Sequence, residues 1–144
     1  MNQTFVPFSL EPKERVWYLI DAKDKTLGRL STYASYLLQG KNKINFYPSI
    51  DVGNFVIIIN AKQIFVTGNK EKQKLYYQHS GRPGGMKIEN LKSLRNKASE
   101  IILEKAIKKM LPKNILGGIM FTRLKIFNNA QYDLKFKNIK LIKI

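Results

Sequence analysis

The sequence predicts an α/β domain of three layers, α/β/α, in which helices cover both faces of a small sheet. Strand-like apolar segments alternate with segments of helical periodicity, beginning with a strand–helix–strand unit over residues 16–61. Residues 55–59 are five consecutive apolar residues, a pattern typical of a parallel strand buried on both faces. The length of 144 residues suits one domain.

The first strand is predicted over residues 16–21, where aromatic and β-branched residues dominate. A helix follows, because apolar residues recur at spacings of three and four from Leu27 to Leu38. Thr26 suits its N-cap and Gly40 its C-terminal stop. The second strand is predicted over residues 54–61.

The second half of the chain predicts two strands and two helices. A short strand over 64–70 ends in a Gly-Asn turn. Helices are expected around 89–96 and 99–111, the second stopped by Pro112. A last strand is expected over 121–127, which gives the order β-α-β-β-α-α-β.

The predicted domain spans residues 16–127, between an N-terminal extension (1–15) and an extended basic C-terminal tail (128–144). No Ser/Gly-rich linker or internal repeat divides the chain. Because lysines alternate with apolar residues in the tail without a clean period, we expect it to lie extended on a partner.

The net charge of +16 is concentrated in the second part of the chain. Residues 1–60 hold 7 basic and 5 acidic side chains, whereas residues 61–144 hold 19 and 5. Repulsion among so many positive side chains destabilises the compact state unless a polyanion neutralises them. Nucleic acid or an anionic membrane is therefore the expected partner.

Several other classes of function are excluded or disfavoured. Without cysteine, and with His79 as the only histidine, the chain has no disulfide and no zinc site of the usual ligands. Asp21 and Asp51 are the only plausible pair for a two-metal site, and both are better explained as turn or capping residues. Glu11 and Glu14 argue against a transit peptide, and no apolar segment approaches the ~20 residues that span a bilayer. No cofactor is therefore expected.

The segment HSGRPGGMK, residues 79–87, holds that histidine. A catalytic base would need a partner, and Ser80 next to His79 seldom gives triad geometry. The ring could instead bond to the backbone, or contact a phosphate or base, which is the interpretation we favour. Tyr76 and Tyr77 are further candidates for stacking on the unpaired bases of a nucleic acid.

Three basic groups could meet an anion. In the first, Arg82 and Lys87 stand among glycines, so that cations and backbone N–H groups could reach phosphates together, although the glycines could simply permit a tight turn. The second group is Lys70, Lys72 and Lys74. The third, which also suits a helix C-terminal dipole, is Lys105, Lys108, Lys109 and Lys113.

Six segments in order resemble the bacterial and plastid-type large ribosomal subunit protein thirteen family: WYLIDAKDKTLGRL, GKNK, DVGNFVIIINA, VTGNK, YYQHSGRPGGMK and KKMLPKNILGG. The resemblance covers residues 16–127. It implies a mainly parallel four-stranded sheet and a structural constituent of the large ribosomal subunit. Such a protein binds large-subunit ribosomal RNA and neighbouring large-subunit proteins, supports early subunit assembly and translation, and is not an enzyme. It implies no cofactor, membrane or small-molecule substrate.

The RNA-binding residues predicted from the basic groups and this resemblance are Lys41, Lys43, Lys70, Lys72, Lys74, Tyr77, His79, Ser80, Gly81, Arg82, Gly85, Lys87, Lys108, Lys109 and Lys113. The chain departs from the family at Lys109, usually glycine, and at Gly118, often arginine. The family's His-Pro-His and Gln-x-Pro pattern is missing near the C-terminus, so no contact is carried beyond Phe127.

Two alternatives differ in class. An extra-ribosomal RNA-binding or RNA-processing protein would share the charge, but an enzyme would need a nucleophile, metal cluster or cofactor loop that the sequence does not show. A peripheral membrane protein could use the tail as a basic anchor.

Lys outnumbers Arg 21 to 5, and Ile (17) and Asn (12) are abundant, as in AT-rich organellar genomes. With the GRPGG loop, similar to cyanobacterial and plastid members, this favours a ribosome in the plastid (chloroplast) stroma; the alternative is the bacterial cytoplasm.

Overall fold

A computed structural model describes residues 15–131 and 139–142. They form a four-stranded sheet, four α-helices and a separate two-stranded hairpin, with a short 3-10 helix at Ala61–Gln63. The elements in chain order are β1 (Trp17–Asp21), α1 (Leu27–Gln39), β2 (Phe55–Ile59), α2 (Lys70–Gln73), β3 (Leu75–His79), β4 (Met86–Asn90), α3 (Leu91–Met110), α4 (Ile115–Thr122), β5 (Leu124–Ile126) and β6 (Ile139–Ile142).

The four-stranded sheet is parallel throughout, in the order β5-β2-β1-β6. Ile20 and Ile58 belong to the cluster that the helices cover and are fully buried. Their neighbours Leu19 and Ile57, on the opposite face, are buried too. Burial on both faces explains the unbroken apolar run of β2. The predicted α/β fold with a parallel four-stranded sheet is confirmed.

The main core lies between one face of the sheet and helices α1, α3 and α4. These helices bury aliphatic side chains against Val56 and Ile58, among them Leu30, Leu38, Leu103, Ile107 and Met120. Helix α1 ends as predicted at Gly40, whose left-handed backbone (φ 76°) suits glycine. A Cβ there would lie 2.8 Å from the carbonyl oxygen of Val52, so glycine is also needed for packing.

Helix α3 is broken at Ala98 (φ −156°, ψ 85°), which agrees with the two helices expected around 89–96 and 99–111. The first half begins where the Asn90 side chain accepts a hydrogen bond of 2.7 Å from the Ser93 N–H. The second half begins at the buried Ser99, whose hydroxyl donates to the side-chain oxygen of Asn128.

Two of the predicted strands are wrong in part. In the segment 64–70, Phe65 forms only an isolated bridge with Thr26, because its backbone bonds to Lys25 and Leu27 at the start of α1. The strand predicted over 121–127 begins only at Leu124, since the residues before it complete α4.

The expectation that the C-terminal tail lies on a partner is wrong for residues 139–142. These residues form β6, which pairs with β1 from Trp17 beside Ile139 to Ile20 beside Ile142. The edge of β1 supplies the backbone partners that an extended segment needs. The remainder of the tail (132–138 and 143–144) and the extension at 1–14 lie outside the described residues.

An ion cluster fixes the end of the sheet where β1, β2 and β5 begin. Arg123, 5% exposed, donates to both carboxylate oxygens of Asp51 at 2.6 and 2.8 Å. Arg15 donates to the same carboxylate at 3.1 Å. Both guanidinium groups also reach the carbonyl oxygen of Gly53. Removing the carboxylate from such a bidentate pair is strongly destabilising, because the buried arginine keeps its charge without a counter-ion.

We predict that Asp51→Asn lowers the free energy of unfolding by about 3–5 kcal/mol, because the buried Arg123 loses its counter-ion. The matched control is Glu71→Gln, whose ion pair with Arg95 is half exposed and should be worth at most about 1 kcal/mol. Urea denaturation of both variants measures the difference. Equal losses of unfolding free energy in the two variants would show that the cluster stabilises the fold no more than the Glu71–Arg95 pair does.

Candidate nucleic-acid interface

The segment HSGRPGGMK lies in a β-hairpin, formed by β3 and β4, that the sequence did not predict. Strands β3 and β4 pair antiparallel, with Tyr76 opposite Glu89 and Tyr77 opposite Ile88. The first pair lies on the face that meets α3, whereas the second is largely exposed. Because neither face is buried throughout, the strands lack the clean alternation that identifies a strand from sequence.

The hairpin loop is built by a tight turn over residues 82–85. The Gly85 N–H donates to the Arg82 carbonyl oxygen at 3.0 Å, Pro83 takes the second position and Gly84 has φ 71°. This is the residue pattern of a type II turn. A Cβ at Gly85 would lie 2.0 Å from the Ser80 hydroxyl oxygen, so the glycines shape the turn and leave Arg82 exposed at its tip.

His79 closes this loop through a hydrogen bond to the backbone. Its Nδ1 accepts a hydrogen bond of 2.9 Å from the Gly81 N–H, and Gly81 has φ 86°. Within the described residues, no carboxylate bonds to the ring. The bond fixes Nδ1 as an acceptor, so a neutral ring carries its proton on Nε2. This is the backbone-bonded alternative, and it leaves Nε2 for a phosphate or base.

Three clefts bring separate lysine groups together around α3. The first, of about 530 Å³, lies between the hairpin and α3 and is called the hairpin–helix cleft; its lysines are Lys87, Lys97, Lys105 and Lys108. The second lies between α2, α3 and the start of α1 and holds Lys70, Lys74, Lys105 and Lys109. The third, at the turn between α3 and α4, holds Lys108, Lys109 and Lys113.

The three clefts share walls and so form one basic surface, defined here as their lysines. Lys105 and Tyr76 line the first two, while Lys108 and Phe121 line the first and third. Lys105 Nζ lies 5.2 Å from the centre of the Tyr76 ring, and Lys108 Nζ lies 5.5 Å from that of Phe121. The rings offset part of the repulsion between the ammonium groups.

The comparison with known proteins agrees with this arrangement. The family model described as Ribosomal protein L13 matches residues 15–133. The chain belongs to the ribosomal protein L13 family. It is 52% identical over 142 residues to the large ribosomal subunit protein uL13 of Prochlorococcus marinus (strain MIT 9301), covering 99% of both chains. It is also 52% identical over 132 residues to that of Synechococcus sp. (strain WH7803), covering 92% of this chain and 87% of the relative.

Membership of the ribosomal protein L13 family confirms the predicted function as a structural constituent of the large ribosomal subunit. The family is one of structural proteins, not enzymes. The relatives named above are cyanobacterial, which is consistent with a ribosome of bacterial or plastid type.

The structure distributes the predicted RNA-binding residues of this L13-family chain over three places. Seven line the clefts: Lys70, Lys74, Tyr77, Lys87, Lys108, Lys109 and Lys113. The hairpin loop and its base hold His79, Ser80, Gly81, Arg82 and Gly85. The remaining three, Lys41, Lys43 and Lys72, lie elsewhere.

These last three lysines differ in what they contact. Lys72 is exposed on α2, and Lys41 lines a depression with Met110 at the end of α3. Lys43 donates at 2.9 Å to the Val52 carbonyl oxygen, so it braces the segment before β2. Lys43 therefore has a structural contact that the sequence did not indicate.

Two central lysines were missing from the list of predicted RNA-binding residues, although Lys105 belonged to the third basic group. Lys105 lies where two clefts meet, and Lys97 lines the hairpin–helix cleft. The signal for Lys105 was present in the sequence, because residues 101, 104, 105 and 108 share one helix face at spacings of three and four. The hairpin that makes this face a cleft was not predicted.

The two aspartates considered for metal binding are engaged separately. Asp21 accepts hydrogen bonds from the Asn60 side chain at 2.8 Å and from the Lys23 N–H at 2.9 Å. Burial acts to raise the pKa of Asp21, but these bonds and nearby lysines hold it below its usual value. Asp51 binds the arginine cluster. Over residues 15–131 and 139–142, no three acidic or histidine side chains form a metal-binding group.

The helices in the described ranges are each too short or too polar to cross a bilayer.

One ion pair lies inside the hairpin–helix cleft: Lys97 Nζ is 2.5 Å from Glu89 Oε1. The hydrogen bond from Lys97, together with its charge, lowers the pKa of the Glu89 carboxyl. Glu89 is therefore ionised at neutral pH and faces into the basic surface.

We predict that Lys97→Met raises the pKa of Glu89 towards its ordinary value, because the main hydrogen bond to the carboxylate is lost. A lowered folded-state pKa contributes stability above the unfolded-state pKa, and this stability is lost as pH falls through the folded value. The variant should therefore lose less stability on acidification. Carboxyl ¹³C NMR titration measures the pKa, with Lys92→Met as the control on the same helix. An unchanged titration of Glu89 in Lys97→Met would contradict the ion pair.

Proposed function

We propose that the basic surface binds large-subunit ribosomal RNA and that the hairpin tip carries a further contact to the same RNA. The observation that supports this is the convergence of three clefts around α3, where lysines from α2 and the residue after it, from β4, from α3 and from the α3–α4 turn line adjoining walls. In a family of ribosomal structural proteins, such a concentration of cations has RNA as its natural counter-charge.

The mechanism is electrostatic and geometric. Each lysine that meets a phosphate releases a condensed counter-ion, and a rigid scaffold sets where those phosphates lie. Side chains do not enter the narrow major groove of A-form RNA, so recognition rests on backbone shape, 2′-hydroxyls and unstacked bases. Holding separate RNA segments together in this way would support subunit assembly.

We also propose plastid ribosomes as the site of action, with bacterial ribosomes as the alternative. The composition rich in Lys, Ile and Asn supports the plastid, as does the identity of about half with cyanobacterial relatives. Neighbouring large-subunit proteins are the other expected partners.

The direct test is sucrose-gradient fractionation of native ribosomes in low and then high salt, with this protein followed by mass spectrometry. We expect it to remain with the large subunit through the high-salt wash, since many phosphate contacts act together. Recovery near the top of the gradient under both conditions would contradict a ribosomal function.

A second test separates the proposed surface from net charge. Replacing Lys74, Lys105 and Lys109 by Gln should weaken binding to large-subunit ribosomal RNA and flatten the plot of log affinity against log salt by about 2–3 units. The control removes the same charge from exposed lysines outside the three clefts, namely Lys23, Lys62 and Lys125. Equal changes in slope for both triple variants would show that the surface has no special role.

A further inference from the structure

We propose that the hairpin–helix cleft binds one unstacked guanine base of ribosomal RNA. The proposal rests on the RNA-binding function above and adds a specific ligand to it. It follows from three properties of the cleft: an apolar floor, a cationic rim and an acidic side chain where phosphate binding alone would not place one.

The floor of the cleft suits a flat aromatic ligand. It is made by Tyr76 and Leu94, by Ala98 at the break in α3, by Ile101 and by Phe121. The volume of about 530 Å³ lies within the usual range for small-ligand sites. Bases turned out of an RNA stack are held against aromatic and apolar side chains in this way.

The rim supplies the charge that a nucleotide needs. Lys87 comes from the hairpin, and Lys97, Lys105 and Lys108 come from α3, so ammonium groups lie on both sides of the cleft. A base on the floor would place its phosphates near these groups. An apolar protein segment would satisfy the floor but leave the cations without a counter-charge.

Glu104 is the unusual member of the cleft. Its side chain is partly buried, and it makes no hydrogen bond or ion pair within the part of the chain that the structure describes. Lys108, one turn further along α3, lies over the Phe121 ring and does not pair with Glu104. A carboxylate repels phosphate, so its position among lysines indicates a ligand that donates hydrogen bonds. Glu89 adds a second carboxylate, with one oxygen held by Lys97.

Guanine has the matching edge. Its N1–H and N2–H₂ groups are adjacent donors and can bind both oxygens of one carboxylate. Adenine and cytosine each place an acceptor beside their amino group, and uracil places its single N–H between two carbonyl oxygens. An ionised carboxylate only accepts hydrogen bonds, so it disfavours these three edges.

The experiment uses the full chain and four labelled RNA pentanucleotides, UUGUU, UUAUU, UUCUU and UUUUU, with affinity measured by fluorescence anisotropy at one fixed salt concentration. We expect UUGUU to bind about tenfold more tightly than the others, as for a good bidentate base contact. Glu104→Gln should abolish that preference without weakening binding of the other three oligonucleotides, because it also removes a negative charge.

The control variant is Asp24→Asn, which removes an equal charge outside the cleft. Asp24 is exposed with φ 57°, a conformation that asparagine tolerates. It should keep the preference for UUGUU. Equal affinity for all four oligonucleotides, or a preference that survives Glu104→Gln, would overturn the guanine site while leaving the basic surface intact. Absence of binding to every oligonucleotide and to ribosomal RNA would instead overturn the proposed function.

Discussion

The fold depends on one partly buried carboxylate, that of Asp51, held between two guanidinium groups. Arg15 precedes β1, Asp51 precedes β2 and Arg123 precedes β5, so a single ion cluster sets the starting points of three parallel strands. Arg123 also donates to the Leu38 carbonyl oxygen at the end of α1. A Cβ at Gly53 would lie 1.8 Å from that same oxygen, so only glycine lets the chain pass there. Desolvation of these charges is costly, and the bidentate geometry and added carbonyl contacts offset it.

With that end of the sheet fixed, the connection from β2 to β5 is free to carry the basic surface. All three clefts lie in this crossover and the helix faces beside it. Arg95 connects α3 to the earlier part of this crossover. Its guanidinium donates to Glu71 of α2 at 2.5 Å and to the Ile64 carbonyl oxygen at 2.8 Å. A lysine-rich surface repels itself, so anchoring contacts of this kind and the rings of Tyr76 and Phe121 matter to its shape.

Charge and selectivity have different origins on this surface. The lysines attract any polyanion, and their effect fades as salt rises. Carboxylates within the same clefts oppose phosphate, so they narrow the set of ligands that fit. The hairpin–helix cleft holds both kinds of group, with Glu89 and Glu104 among four lysines. The same cleft therefore combines groups that attract phosphate with groups that repel it.

The sequence by itself determined the strand–helix–strand unit, the end of α1 at Gly40, the break in α3 and the location of the charge. Each of these is encoded locally, by hydrophobic period, by a glycine that allows a left-handed turn or by the count of lysines. The tertiary structure alone decided that residues 139–142 complete the sheet, that the hairpin and α4 exist, and that Arg15, Asp51 and Arg123 meet. It also decided that lysines more than thirty residues apart line common clefts. Local patterns record which side chains are buried, but the partners that bury them lie far along the chain, and no period in the sequence specifies those partners.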